Sequence, residues 1–191
     1  MKAKTGIGIV HGRFQPFHLG HLNEYILKAK EKCQFIIVGI TNPDPTHTLP
    51  DESNLSRTRE INNPLSFYER LIIVQDALIE AGLKHSEFTV VPFPINFPQL
   101  LKYYTPAEGT HYLTIFDEWG DNKTDKLKSY GLTTSVLFRK DISEKDISST
   151  MVRELMIKKG NWQELVPKST VKHLENWQLR ERLIKMRHQS I

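Results

Sequence analysis

The sequence predicts an α/β protein: a parallel sheet with helices on both faces. Three observations carry this. Short runs rich in Ile, Val and Phe recur along the chain, helical patterns lie between several of them, and a basic, glycine-bearing turn joins the first run to the first helix. Strands that alternate with helices favour parallel pairing, because each return crossing lays a helix on the sheet. Ligands then bind outside the carboxyl ends of the strands, where the strand order reverses.

The elements follow in order. Ile7–His11 reads as the first strand, and Leu19–Lys32 as the first helix. Phe35–Ile40 is the second strand. The stretch from Thr41 to Asn62 is polar and aperiodic and contains Pro43, Pro45 and Pro50. Loops this long inside compact domains tend to be functional, so it is expected to be a mobile segment that covers a substrate. Leu65–Ala81 is helical, Phe88–Pro92 a strand, Phe97–Tyr104 a weaker helix, Tyr112–Phe116 a strand, Asn122–Tyr130 a weaker helix and Ser135–Phe138 a strand. After Thr150 the pattern is all helical, with Val152, Leu155 and Met156 on one face and one long helix from about Val171 to Arg187.

A chain of 191 residues suffices for one domain with a real core and is short for two. Its hydrophobic share of 39% and charged share of 25% describe a globular protein, and no apolar run approaches the ~20 residues a membrane helix needs. The N-terminus runs straight into a strand, without the pattern of a signal peptide. The lone cysteine, Cys33, excludes an internal disulfide and agrees with a reducing compartment, so a cytoplasmic protein with no membrane partner is expected. The net charge of +4 is spread among interspersed acids, which suits a small anionic substrate better than nucleic acid. The basic end, Arg180, Arg182, Lys185 and Arg187, reads as a solvated helix face.

Two segments carry the chemistry. Gly12-Arg13-Phe14-Gln15-Pro16-Phe17-His18-Leu19-Gly20-His21 sits at a strand-to-helix turn, where backbone N–H groups and the helix dipole favour an anion. Ile147-Ser148-Ser149-Thr150-Met151-Val152-Arg153 repeats that chemistry downstream. There Ser148 or Ser149 can cap a helix whose first turn holds a cation and no acid, a mismatch that a bound anion would resolve. No GxxxxGK[ST] loop is present, and Gly6 and Gly8 precede the strand, so neither a P-loop nor a dinucleotide fingerprint fits.

GRFQPFHLGH resembles the HxGH signature of nucleotidyltransferases, in the form seen in archaeal-type nicotinamide-mononucleotide adenylyltransferases. ISSTMVR resembles the accompanying ISxTxxR signature, and Asn63-Pro64-Leu65-Ser66-Phe67-Tyr68-Glu69-Arg70 resembles the family's NPFTxxER helix start. The likeness spans roughly residues 6 to 165. It implies a Rossmann-like doubly wound sheet of order 3-2-1-4-5, formed by residues 1–147, with residues 148–191 as a small C-terminal helical cap. The implied reaction is ATP plus nicotinamide mononucleotide to NAD and pyrophosphate, with Mg2+ entering on the triphosphate. Relatives of this type commonly form homo-oligomers.

On that resemblance His18 and His21 stabilise charge on the α- or β-phosphate in the transition state, with zinc ligation or plain capping as rival readings. Arg13 grips triphosphate oxygens. Gly12, Phe14, Gln15 and Gly20 belong to the nucleotide-binding turn; Gln15 and Pro16 shape it, and Gly20 gives base or ribose access to the backbone. Ser148, Ser149, Thr150 and Arg153 receive the β- and γ-phosphates.

The match departs from the family at two places. Where relatives carry an SGNP-like segment, this chain reads Thr114-Ile115-Phe116-Asp117-Glu118-Trp119-Gly120, in which Asp117 could accept from a carboxamide and Trp119 stack on a pyridine ring. The arginine preceding NPFT is replaced by Asn62, with Arg57 and Arg59 nearby as possible acceptor ligands. Two alternatives therefore stand beside NAD synthesis: a cytidylyltransferase, using CTP with another phosphate or a phosphonate, and a nucleotide-binding regulatory module without turnover.

Overall fold

The computed structural model describes residues 4–47, 59–115, 118–141 and 146–189, and for residues 118–123 the course of the backbone. Five strands, β1 (Thr5–Gly12), β2 (Cys33–Thr41), β3 (Phe88–Phe93), β4 (Thr110–Ile115) and β5 (Thr134–Arg139), form one sheet of order β3-β2-β1-β4-β5. Every pairing is parallel. The expected strands are all present, with described ends that lie within two residues of those expected; the proposed end of the fourth, Phe116, lies outside the described residues.

Sheet residues alternate between two cores. Val10, Ile36, Val38 and Ile40 face the larger, with the helices of residues 20–30 and 67–80 and the C-terminal helices; Ile9, Ile37, Phe93, Leu113, Leu101 and Leu127 form the smaller on the other face. Burial on both faces is why β2 reads as a continuous apolar run. Helix α1 has π-type turns over Gly20–Leu27 and α-type turns over Lys28–Lys30, and buries Leu22, Tyr25, Ile26 and Ala29 at helical spacing. Helix α2 (Phe67–Glu80) starts on a capping box, Ser66 with Glu69, and buries Arg70, Ile73, Val74, Ala77 and Leu78. The expected weak helix at 97–104 is a 3-10 segment, Pro98–Tyr103. Helix α3 (Glu118–Ser129) begins earlier than the periodicity placed it.

The C-terminal part holds α4 (Ser149–Ile157), α5 (Lys168–Asn176) and α6 (Leu179–Gln189). The single long helix expected from 171 to 187 is broken: Gln178 adopts a left-handed φ of 51°, and the turn lets Leu174, Leu179 and Leu183 all reach the larger core. Polar ties fasten this part to α2. The Glu80 carboxylate accepts from the backbone N–H groups of Lys168 and Ser169 at 3.1 and 2.7 Å, and Arg182 grips both oxygens of Glu69 and the Pro64 carbonyl. Arg182 is thus an anchor, not part of a solvated face.

β1 and β4 pair at only two positions, Gly8 with Thr110 and Ile9 with His111. Beyond these the Tyr25 hydroxyl bridges them, accepting from the His11 N–H at 3.2 Å and donating to the Tyr112 carbonyl at 2.8 Å. Burial pushes the Tyr25 hydroxyl well above its usual pKa, so it stays a donor. The opening between β1 and β4 is the topological switch point of the sheet.

His111 is fully buried on the smaller core beside Phe93, with neither ring nitrogen bonded to another described residue. Burial pushes its pKa down to about 4. Above the unperturbed value of ~6.5 both folded and unfolded chains hold a neutral imidazole. As pH falls toward 4 the unfolded chain takes up a proton that the folded one refuses, so stability declines across that window, by up to about 3 kcal/mol. His111→Leu is expected to remove this loss, read as a urea midpoint that changes less between pH 7 and 4 than that of the wild type.

Candidate active site

The turn after β1 is built from the inside. Phe14 takes a left-handed φ of 53°, uncommon for a bulky residue, and this turns its ring inward. The ring lies against Gly12, where a Cβ would come within 2.6 Å of it, and meets Phe17 and His21 edge-on at 5.4 and 5.0 Å. The Gln15–Pro16 peptide is cis. The Gln15 amide pairs with the Leu65 backbone as a strand would: Nε2 donates to the carbonyl and Oε1 accepts from the N–H, both at 2.9 Å. Phe14 and Gln15, expected among the nucleotide-binding residues, are therefore buried and shape the turn from within.

The two histidines are locked to each other. Their rings stack at 3.5 Å, and each Nδ1 accepts the other residue's backbone N–H at 3.3 Å. A ring nitrogen that accepts a hydrogen bond carries no proton, so the remaining proton of each neutral imidazole sits on Nε2. That tautomer makes each Nε2 a donor, the chemistry that phosphate oxygens require, and His18 Nε2 is itself buried from solvent. A zinc ligand would need the Nε2 lone pair, which this arrangement withdraws. His18 is 2% exposed, whereas His21 is half-buried with Phe17 stacked on it at 5.6 Å. Gly20 faces the His18 ring, where a Cβ would sit 3.1 Å from Nδ1; its bareness makes room for the imidazole. Arg13 lies half-buried just past β1.

The second segment docks on the first. Ser149 Oγ donates to the Pro16 carbonyl at 2.9 Å, and Arg153 donates to the Gln15 carbonyl at 2.5 Å, to Asn62 Oδ1 at 2.5 Å and to Thr150 Oγ1 at 3.2 Å. Ser148 caps α4 by accepting from the Met151 N–H at 3.1 Å. The cation in the acid-free first turn is thus satisfied by protein acceptors. Arg153 is buried, which pushes its pKa down to about 10, and it joins three segments instead of facing open space. Thr150 is exposed beside it at the helix start.

Arg70 had no role assigned from sequence. Its buried guanidinium donates to the carbonyls of Arg13 at 3.0 Å, Thr41 at 2.8 Å, Asn42 at 2.8 Å and Ser66 at 3.2 Å. It thereby fixes the loops after β1 and β2 against the start of α2. The NPLSFYER pattern marked the residue but not its acceptors.

Of the expected mobile stretch, residues 41–47 and 59–62 are described, and both are tied down. Asp44 closes a turn over Pro45–His47 by accepting from the N–H and hydroxyl of Thr46 and from His47, while Asn62 is held by Arg153. Arg59 is exposed at the start of the 3-10 turn Glu60–Asn62. Arg57 and Asp117 lie outside the described residues, and Trp119 falls in the first turn of α3.

Residues 9–155 match a family model described as cytidylyltransferase-like. The chain is 41% identical over 179 residues to the phosphonoformate cytidylyltransferase of Streptomyces viridochromogenes, covering 94% of this chain and 96% of that one. It is 32% identical over 174 residues to the nicotinamide-nucleotide adenylyltransferase of Thermococcus sibiricus, covering 88% and 82%. Among solved structures it resembles a bifunctional NMN adenylyltransferase/ADP ribose pyrophosphatase from Francisella tularensis, with a TM-score of 0.66 and 15% identity. It covers 95% of this chain and spans about half, 53%, of that protein, so the likeness is one of fold.

Proposed function

The chain belongs to the cytidylyltransferase-like family and is a nucleotidyltransferase; from that premise we propose that it moves the cytidylyl group of CTP onto a small phosphonate or phosphate acceptor. The observation that carries this reading is the 41% identity, end to end, with a phosphonoformate cytidylyltransferase. A structural detail supports it. The archaeal adenylyltransferase pattern has an arginine where this chain has Asn62, whose Oδ1 is bonded to the Arg153 guanidinium.

In this mechanism an acid oxygen of the acceptor attacks the α-phosphorus and pyrophosphate leaves. The Nε2–H groups of His18 and His21 donate to phosphate oxygens as charge builds on them, and Arg13 and the start of α4 hold the triphosphate tail. Magnesium, when bound, neutralises triphosphate charge. Among the described residues no group of three or more His, Cys, Asp or Glu is placed to hold a metal. None of the described helices is long and apolar enough to cross a membrane.

NAD synthesis from ATP and nicotinamide mononucleotide is the second reading, favoured by adenylyltransferase relatives at 29–32% identity. Pyrophosphate release separates the two when CTP and ATP are crossed against phosphonoformate, nicotinamide mononucleotide, its nicotinate analogue and no acceptor. Release with CTP and phosphonoformate is expected. Release only with ATP and nicotinamide mononucleotide would overturn the reading in favour of the second.

A further inference from the structure

The described part of the loop after β2 includes a histidine, His47, held on three sides. The chain turns at Asn42, whose φ is 49°, and Arg70 fixes Thr41 and Asn42 beside the Arg13 carbonyl, so this loop lies next to the phosphate-binding turn at the carboxyl end of the sheet. Asp44 Oδ1 accepts from the Thr46 hydroxyl at 2.5 Å and the Thr46 N–H at 2.9 Å, while Oδ2 faces His47 Nδ1 at 2.8 Å. Those bonds, Thr46 first and His47 second, hold the Asp44 carboxyl down to about 2, so it is an acceptor at any working pH. A carboxylate facing Nδ1 puts a proton on that nitrogen and turns Nε2 away from Asp44.

The rest of His47 is anchored too. Its carbonyl accepts from Asn96 Nδ2 at 2.9 Å, and Phe97 packs edge-on to its ring at 5.4 Å. Nε2 has no partner among the described residues, and the side chain is 21% exposed. In a second Asp–His pair, Asp76 with His173 at 2.6 Å, which joins α2 to α5, Nε2 is the bonded nitrogen. At His47 the carboxylate orients a ring whose outer nitrogen is bonded by none of the described residues.

We propose that His47 is an acceptor-binding residue, whose Nε2 shares one proton with an acid oxygen of the phosphonate or phosphate acceptor on the β2 and β3 side of the site. This rests on the nucleotidyl-transfer reading above. The shared proton can sit on either atom, as N–H···O⁻ or N···H–O, so the bond forms with either ionisation state of the acceptor.

Two substitutions that each keep one half of the imidazole test this. His47→Asn keeps a donor to Asp44 and loses Nε2; His47→Gln loses the Asp44 bond and restores a donor near Nε2. The expected result is a rise of about 10- to 100-fold in acceptor KM, and in the calorimetric Kd for the acceptor, in His47→Asn. The triphosphate KM should stay within about twofold, and His47→Gln should recover most of the loss. A merely structural role predicts the reverse order, with His47→Asn close to wild type and His47→Gln impaired together with its thermal midpoint; that outcome overturns the proposal. Phosphonoformate and nicotinamide mononucleotide both serve as probes. If the wild type uses only the latter with ATP, the cytidylyl reading fails while the same two variants still decide the role of His47; if it binds neither, the proposal falls.

Discussion

His21→Ala is expected to lower kcat by about 10²–10³-fold while the triphosphate KM changes far less. In the proposed mechanism the His21 Nε2–H, left as a donor by the Nδ1 bond, meets charge that grows only in the transition state, and losing one such donor costs about 2.7–4 kcal/mol there. The alanine variant also removes the acceptor for the His18 N–H and the ring packed between Phe14 and Phe17, so it confounds chemistry with structure. His21→Asn separates them. Its amide oxygen can still accept from His18, near the place of Nδ1, but nothing replaces Nε2–H. Steady-state kinetics should show His21→Asn as slow as His21→Ala with near-native stability. An asparagine variant that kept most of kcat would assign His21 to holding the turn.

The strands and their order were legible in the sequence because strands buried on both faces announce themselves as short apolar runs, and the family likeness supplied the winding. The pairing of the two histidines was legible too: a three-residue spacing across a helix start places their rings together. What the spacing could not show was which way each neighbour in the turn points. Phe14 and Gln15 lie within the motif, where the resemblance implies nucleotide contact, yet a left-handed residue and a side-chain amide paired with Leu65 face inward. In the sequence Arg153 looks like a cation waiting for phosphate because its acceptors, Gln15 and Asn62, lie 138 and 91 residues away. Composition likewise marked residues 41–62 as loose. The tie from Asp44 to Thr46 and His47 is local and compact, but only the fold supplies the acceptor for Asn96.

Arg70 shows most plainly how the site depends on such hidden ties, and its replacement is expected to be the most destabilising change. One buried guanidinium serves the carbonyls of Arg13, Thr41, Asn42 and Ser66, belonging to three separate segments. Burial pushes its pKa down to about 10, still high enough to keep the charge at neutral pH, where the carbonyl dipoles solvate it. Arg70→Met removes the charge but strands four acceptors, each worth about 1–3 kcal/mol if water cannot reach it. Since some of them border the open end of the sheet, a net loss of about 3–5 kcal/mol is expected from urea unfolding at neutral pH. Arg70→Lys keeps the charge as a compact ammonium with three donors and no fork, so it can serve only part of the set and should recover less than half of the loss. Because the same carbonyls set Arg13 beside the loop that carries His47, the lysine variant should also raise both substrate KM values, unlike any change at His47 itself. An Arg70→Lys protein with wild-type stability and wild-type KM values would mean that the loops after β1 and β2 hold their places without this link.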